Sequence, residues 1–203
     1  MQQLLVATSN AHKTAEIQLM LGPSWRVLDM RAHPALALPE ETGDTFEANA
    51  IIKAEGASRE LQDVLVLSDD SGLEVDSLGG QPGVKSARYA GERATDADNR
   101  EKLKRELAKM PGAGEGARIC ARFRCCMAVA RGGSVLRTFS GAVEGEVVMA
   151  EQGEGGFGYD ALFVPEGFAQ TFGELPSETK NRLSHRARAL AQVIEWLAAQ
   201  PEK

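Results

Sequence analysis

The sequence predicts an α/β fold built on a mixed β-sheet, and three observations carry that prediction. A strand, a short polar loop and a helix follow one another at the start, as Leu4 to Thr8, Ser9-Asn10 and Ala11 to Leu21. The apolar run Val64-Leu65-Val66-Leu67 reads as a strand buried on both faces, the parallel-sheet type. Gly132-Gly133, set between two long alternating segments, reads as the turn of a β-hairpin. Long antiparallel arms beside an α/β start make the expected sheet mixed.

The elements follow in order. Ser9-Asn10 caps the first helix and Gly22-Pro23 ends it. Trp25 to Asp29 is the second expected strand, and His33-Pro34 through Pro39 is irregular. After Glu40-Glu41-Thr42-Gly43-Asp44 comes a helix from about Thr45 to Leu61, with Phe46, Ala50, Ala54, Ala57 and Leu61 on its core face. Asn49 and Lys53 are four apart and share a different face, where the ordinary reading of a lysine is a solvated one. The glycine-dense loop Gly79-Gly80-Gln81-Pro82-Gly83 marks turns or a close approach. Thr95 caps a helix from about Asp96 to Met110, with Asp98 completing a capping box. Met110 to Gly116 reads as a variable loop. In the next strand Ile119, Ala121, Phe123, Cys125, Met127 and Val129 face one way, and Arg118, Cys120, Arg122, Arg124 and Cys126 the other. Val135 to Val148 returns, Ala161 to Val164 is a further strand, and the last helix begins near Ser184. Residues 198–203 form a frayed tail.

Composition narrows the function classes. The 203 residues suit one large domain or two small lobes and are ample for a core. A net charge of −6 argues against broad nucleic-acid binding, which needs a basic surface. No apolar run approaches the ~20 residues of a membrane span, and the N-terminus has no leader pattern. A cytoplasmic protein is therefore expected, with no nucleic-acid or membrane partner. The cysteines, Cys120, Cys125 and Cys126, fit no zinc spacing and read as reduced packing residues.

The chemistry concentrates at a few places. The buried run ends in Ser68-Asp69-Asp70-Ser71-Gly72. Two adjacent carboxylates there are costly unless something positive sits against them, and Mg²⁺ is an obvious candidate. Taken alone, the stretch reads equally well as an Asx-type turn. Lys13 falls in the first turn of a helix, where the dipole favours anions. It is either a solvated lysine or a partner of the free backbone N–H groups in holding a phosphate. Gly153-Glu154-Gly155-Gly156-Phe157-Gly158-Tyr159-Asp160 is a flexible connector or a loop whose two aromatics wrap a planar base. His185 and Arg186 open the last helix, with Lys180 just before.

Together these pieces resemble the inosine triphosphate pyrophosphatase family, enzymes that hydrolyse (d)ITP and XTP. The resemblance runs from Leu4 to Leu197 and rests on four stretches in family order. These are Thr8-Ser9-Asn10-Ala11-His12-Lys13; Glu40-Glu41-Thr42-Gly43 through Asn49 and Lys53; Asp69-Asp70-Ser71-Gly72 with Gly79 to Gly83; and Gly155 to Asp160 with Ser184-His185-Arg186. It implies an elongated α/β fold of two lobes, a mixed sheet flanked by helices, an active site in the cleft between lobes, and a homodimer. It also implies Mg²⁺-dependent cleavage of the α–β phosphoanhydride by water, giving a monophosphate and pyrophosphate.

Residue roles follow from the same resemblance. Thr8, Ser9, Asn10, Ala11, His12 and Lys13 would bind the triphosphate, with Lys53 adding a second positive contact and Ser71 touching the nucleotide. Glu40 and Asp70 are the expected metal ligands, with Glu41 the alternative to Glu40. Asp70 is also the expected general base, supported by Asp69. Phe157, Gly158, Tyr159, Asp160, Lys180, His185 and Arg186 would form the base and sugar site, Arg186 and His185 donating to a 6-oxo group. His12 departs from the small residue usual in the family. The rivals are a pyrophosphatase of the septum-inhibitor type acting on modified pyrimidine or methylated nucleotides, and a sensor that binds without hydrolysing. A P-loop kinase does not fit, because Thr8 to Lys13 lacks the longer glycine-rich spacing.

Overall fold

The computed structural model describes residues 2–110 and 118–200. The variable loop after Met110 and the tail from residue 201 lie outside them. The chain forms a six-stranded sheet in the order β2-β1-β3-β4-β5-β6. The strands are β1 Gln2–Val6, β2 Trp25–Asp29, β3 Val66–Val75, β4 Ile119–Arg131, β5 Ser134–Val147 and β6 Phe163–Pro165. β1 runs parallel to both β2 and β3, whereas β6 pairs antiparallel with β5, so the sheet is mixed as the sequence predicts. The helices are α1 Ala11–Leu21, α2 Phe46–Glu60, α3 Asp96–Ala108, α4 Ser177–Leu183 and α5 His185–Ala198. Among the described residues no helix is long and apolar enough to cross a membrane.

Local chemistry accounts for the element ends. The Asn10 side chain accepts from the backbone N–H groups of His12 and Lys13, which starts α1. Thr45 caps α2, and Thr95 with Asp98 forms the expected capping box on α3. At the β4–β5 turn Gly132 and Gly133 have φ of +58° and +78°, a conformation that glycine adopts without steric cost.

Three expectations change. β3 does not end at Leu67; it continues through Asp69 and Asp70 to Val75, which removes the Asx-turn reading. The short 3-10 turn Asp160–Leu162 occupies the start of the expected Ala161 strand, leaving β6 only three residues. The last helix, α5, begins at His185 beside Ser184 as expected, but a further short helix, α4, precedes it, with Ser184 in extended conformation between the two.

The chain divides into two compact units. The first comprises Met1–Asp70, Cys125–Gly141 and His185–Lys203, and the second Ser71–Arg124 and Ala142–Ser184. The first unit packs α1 and α5 around Leu4, Val6, Leu67, Met127, Phe139 and Leu190. It buries α2 separately, through Ala50, Ala54, Ala128 and Ala130. The second has its own core, in which Leu73, Leu103, Leu107, Tyr159 and Leu162 pack with the mutually contacting rings of Phe123, Phe163 and Phe172, edge-on between Phe123 and Phe163 and stacked between Phe123 and Phe172.

Candidate active site

The first unit gathers charge around the Asp69-Asp70 pair. Asp69 is 1% exposed. Its carboxylate accepts from the Lys13 ammonium, from Arg186 Nε at 2.9 Å and from the Cys125 thiol at 3.1 Å. Burial works against its ionisation and is the strongest single influence, but the Arg186 and Lys13 charges together hold the carboxyl well below the usual aspartate range. The Arg186 guanidinium is completed by Glu16 of α1, with Nη1 donating to Oε2 at 2.6 Å. The Cys125 thiol is pushed up by burial and by the Asp69 charge, so it stays protonated and donates.

Asp70 has different company. Lys53 Nζ donates to Asp70 Oδ1 at 3.1 Å, to Glu41 Oε1 at 2.7 Å and to the Asp69 carbonyl at 2.9 Å. Asn49 Nδ2 donates to Asp70 Oδ2 at 3.2 Å, while the Asn49 carbonyl oxygen accepts from the Gly43 N–H. Asn49 thus ties the Glu41 segment to the strand. Burial raises the Asp70 carboxyl, Lys53 and Lys13 pull against it, and Glu41 adds to the rise; the net shift is upward. Burial disfavours the Lys53 charge, but Asp70 and Glu41 outweigh it and keep that ammonium protonated.

The residues expected to hold the phosphates lie at the start of α1. Thr8 is buried, its Oγ1 accepts from the Asn10 N–H, and Asn10 starts α1. Ser9, Asn10, Ala11 and His12 therefore surround the N-terminus of α1, where the Asn10 side chain already accepts from the His12 and Lys13 N–H groups and the Lys13 side chain lies alongside. Lys53 is not a solvated lysine: it is 6% exposed and inside the cluster. Glu41 rather than the exposed Glu40 reaches Lys53, which favours the alternative left open for the second metal acid. Arg186, expected among the base donors, spends its guanidinium on Asp69 and Glu16.

The second unit brings together Phe157, Asp160 and Lys180 of the other expected group, whereas His185 and Arg186 belong to the first. Lys180 Nζ donates to Asp160 Oδ2 at 2.7 Å and stands 4.9 Å from the Phe157 ring centre. The same Asp160 oxygen accepts from the Phe157 N–H. Gly156 has φ of +74°, and a Cβ there would lie 2.0 Å from that oxygen, so glycine is required for the carboxylate to close under the loop. The Tyr159 hydroxyl donates to the Ser86 carbonyl at 2.8 Å and is buried. Ser71 lies on β3 at the start of this unit, and His185, 4% exposed, opens α5 in the first.

Among the described residues no group of three or more His, Cys, Asp or Glu side chains is placed to hold a metal unaided. Mg²⁺ does not need one: it binds through one or two carboxylates, water and substrate phosphates. Asp70 and Glu41 share a single ammonium, and the Asp70 carboxyl is already raised by burial and by Glu41. That is an electrostatic deficit a divalent cation would relieve, so the donor set fits the group.

Fold and site define an α/β protein with buried carboxylate–ammonium pairs beside a helix N-terminus, the equipment of a polyphosphate-binding hydrolase. The Ham1 family model matches residues 4–196, and the chain belongs to that family. It is 44% identical to the dITP/XTP pyrophosphatase of Halalkalibacterium halodurans over 97% of this chain and all of that protein. It is 42% identical to the dITP/XTP pyrophosphatase of Bacillus subtilis over 98% of each. The HAM1 protein structure from Coxiella burnetii superposes with a TM-score of 0.85 at 35% identity, covering 98% of this chain and all of that one.

Proposed function

We propose that this chain is a Mg²⁺-dependent nucleoside triphosphate pyrophosphatase that hydrolyses ITP, dITP and XTP to the monophosphate and pyrophosphate. It acts in the cytoplasm as a homodimer and clears nonstandard purines from the nucleotide pool. The observation that carries the reading is the pairing on one strand of a low carboxylate, Asp69, holding Lys13 at the α1 N-terminus, with a raised one, Asp70, among Lys53 and Glu41. The dITP/XTP pyrophosphatases among its relatives support the same reaction class.

In this reading Thr8, the positive end of the α1 dipole and the Lys13 side chain orient the triphosphate. Asp70 and Glu41 would hold the metal, which would supply positive charge against the phosphates and lower the pKa of bound water. The attacking water loses its proton to Asp70; its oxygen forms a bond to the α-phosphorus, and the bond from that phosphorus to the bridging oxygen breaks. Pyrophosphate leaves with the electron pair. Lys53 holds the Asp70 carboxylate in place and Asp69 keeps Lys13 directed. Phe157 offers a face for stacking a purine. A site whose donors match a 6-oxo group discriminates against a 6-amino group by up to ~10⁴–10⁵-fold.

Phosphorus NMR of ITP incubated with the full chain and Mg²⁺ tests this. Inosine monophosphate and pyrophosphate are expected, with turnover lost in chelator and much slower with ATP. Orthophosphate as the first product, equal turnover of ATP, or unchanged activity in chelator each overturns the corresponding part. Sedimentation of a monomer at working concentration removes the dimer.

A further inference from the structure

One face of α3 has no part in that chemistry, yet it grips the aromatic loop. Asp96, Arg100 and Lys104 recur every four residues and so share one side of the helix. Leu103 and Leu107 serve the second unit's core instead. Asp96 Oδ2 accepts from the Gly158 N–H at 2.7 Å, and Arg100 Nη1 donates to the Gly158 carbonyl at 2.9 Å. Both backbone groups of the residue between Phe157 and Tyr159 are thus held by side chains of one helix. Arg100 Nε also donates to Glu151 Oε2 at 2.9 Å, and Lys104 Nζ to Glu151 Oε1 at 3.1 Å, which fixes the chain just ahead of the loop. Burial opposes ionisation of Glu151, but its Lys104 and Arg100 partners win and hold that carboxyl below its usual range. A charged clamp of this extent is more than a mobile connector needs.

We propose that Asp96 and Arg100 are positioning residues for base recognition: they set the height and tilt of the Phe157–Tyr159 segment by gripping the Gly158 backbone. The inference rests on the reading that this segment receives the purine. Gly158 has φ of +62° and no neighbour that a Cβ would strike, so local sterics do not fix the loop. The clamp supplies that constraint from outside. Its loss leaves the phosphate and proton chemistry of the first unit untouched and weakens only how the base is held.

The test uses purified full-length Asp96→Ala, Arg100→Ala, Asp96→Asn and Phe157→Ala proteins with ITP and Mg²⁺, each first checked for a native melting transition. The expected result for both clamp truncations is a KM higher by about tenfold or more, as for misplacement of a recognition element. The expected kcat stays within about twofold, the pattern of lost uniform binding. Asp96→Asn keeps an oxygen able to accept from the Gly158 N–H and restores most of the KM, which a general loss of stability would not do. If Phe157→Ala raises KM and the clamp truncations do not, the clamp is overturned while the base-loop reading stands. If Phe157→Ala also leaves KM and base preference unchanged, the base-loop reading fails and the clamp falls with it. Equal loss of kcat in both truncations assigns them to the fold or the chemistry and overturns the proposal.

Discussion

Asp69 and Asp70 are consecutive on one strand, yet their surroundings push them in opposite directions. Alternation along the strand sends the first carboxylate to Arg186, Lys13 and Cys125 and the second to Lys53 and Asn49. Arg186 and Lys13 outweigh burial for Asp69; Lys53 and Lys13 do not outweigh burial and the Glu41 charge for Asp70. A carboxylate moved toward the working pH is the better proton acceptor, which is consistent with the base role proposed for Asp70. Asp70→Asn is accordingly expected to fold and to lose at least about a hundredfold in turnover. Near-normal turnover in a folded variant rejects the assignment. If the deprotonated form of Asp70 holds the metal and takes the proton, proton and Mg²⁺ compete for it, so activity at limiting Mg²⁺ is expected to fall as pH drops and to recover with added Mg²⁺. The stability sign is the reverse of that for an acid held below its ordinary range, such as Asp69. A folded pKa raised above the unfolded one means ionisation costs stability as pH rises through that window, so Asp70→Asn keeps or raises the melting midpoint at neutral pH.

At the level of elements, legibility followed locality. α1, β2 and α2 were readable to within a residue or so because caps and apolar periodicity are written in adjacent positions. β3 was cut short at Leu67 because an apolar run stops at its first charge, whereas the ladder continues. What makes charge tolerable there comes from α1, α2 and α5, far along the chain, and spacing along one segment does not display it. α4 was missed because its seven residues are mostly polar and carry no side-chain cap. Lys53 looked like a surface residue for the same reason as Asp70 looked like a turn: its partners are tertiary. Gly72 shows how tightly β3 is then packed. A Cβ there would lie 2.3 Å from Ser86 Oγ and 2.6 Å from the Gly83 carbonyl. Ser86 cannot turn aside, since its hydroxyl accepts from the Leu73 N–H and donates to that carbonyl. Gly72→Ala is expected to cost about 1–3 kcal/mol through overpacking, lowering the midpoint by roughly 2–12 °C in calorimetry. An unchanged midpoint contradicts the close approach.

For the whole molecule, the informative quantity is a contrast between global and local charge. The chain carries a net −6, yet Lys13, Lys53, Lys180 and Arg186 are each drawn in and matched to carboxylates. Such matching keeps ammonium and guanidinium groups ordered before a polyanion arrives, so less conformational freedom is lost on binding. The family stretches exposed the residues of this arrangement in the sequence; their division between carboxylates emerged only with the fold. If the arrangement binds a purine triphosphate with Mg²⁺, the ligand stabilises the folded chain by mass action. A non-hydrolysable inosine triphosphate bridged by carbon between the α and β phosphorus atoms isolates that binding from turnover. At about a hundred times its dissociation constant it contributes about 2.7 kcal/mol, or a rise of roughly 5–11 °C in the melting midpoint. The adenosine counterpart at the same concentration is expected to shift the midpoint little, because its 6-amino group leaves donors unmatched. Chelator should remove most of the inosine shift by taking away the charge that lets Asp70 and Glu41 tolerate the phosphates. Equal shifts for the two bases would mean that the loop around Phe157 does not select the purine, and a shift indifferent to chelator would mean that these carboxylates do not meet it through a metal.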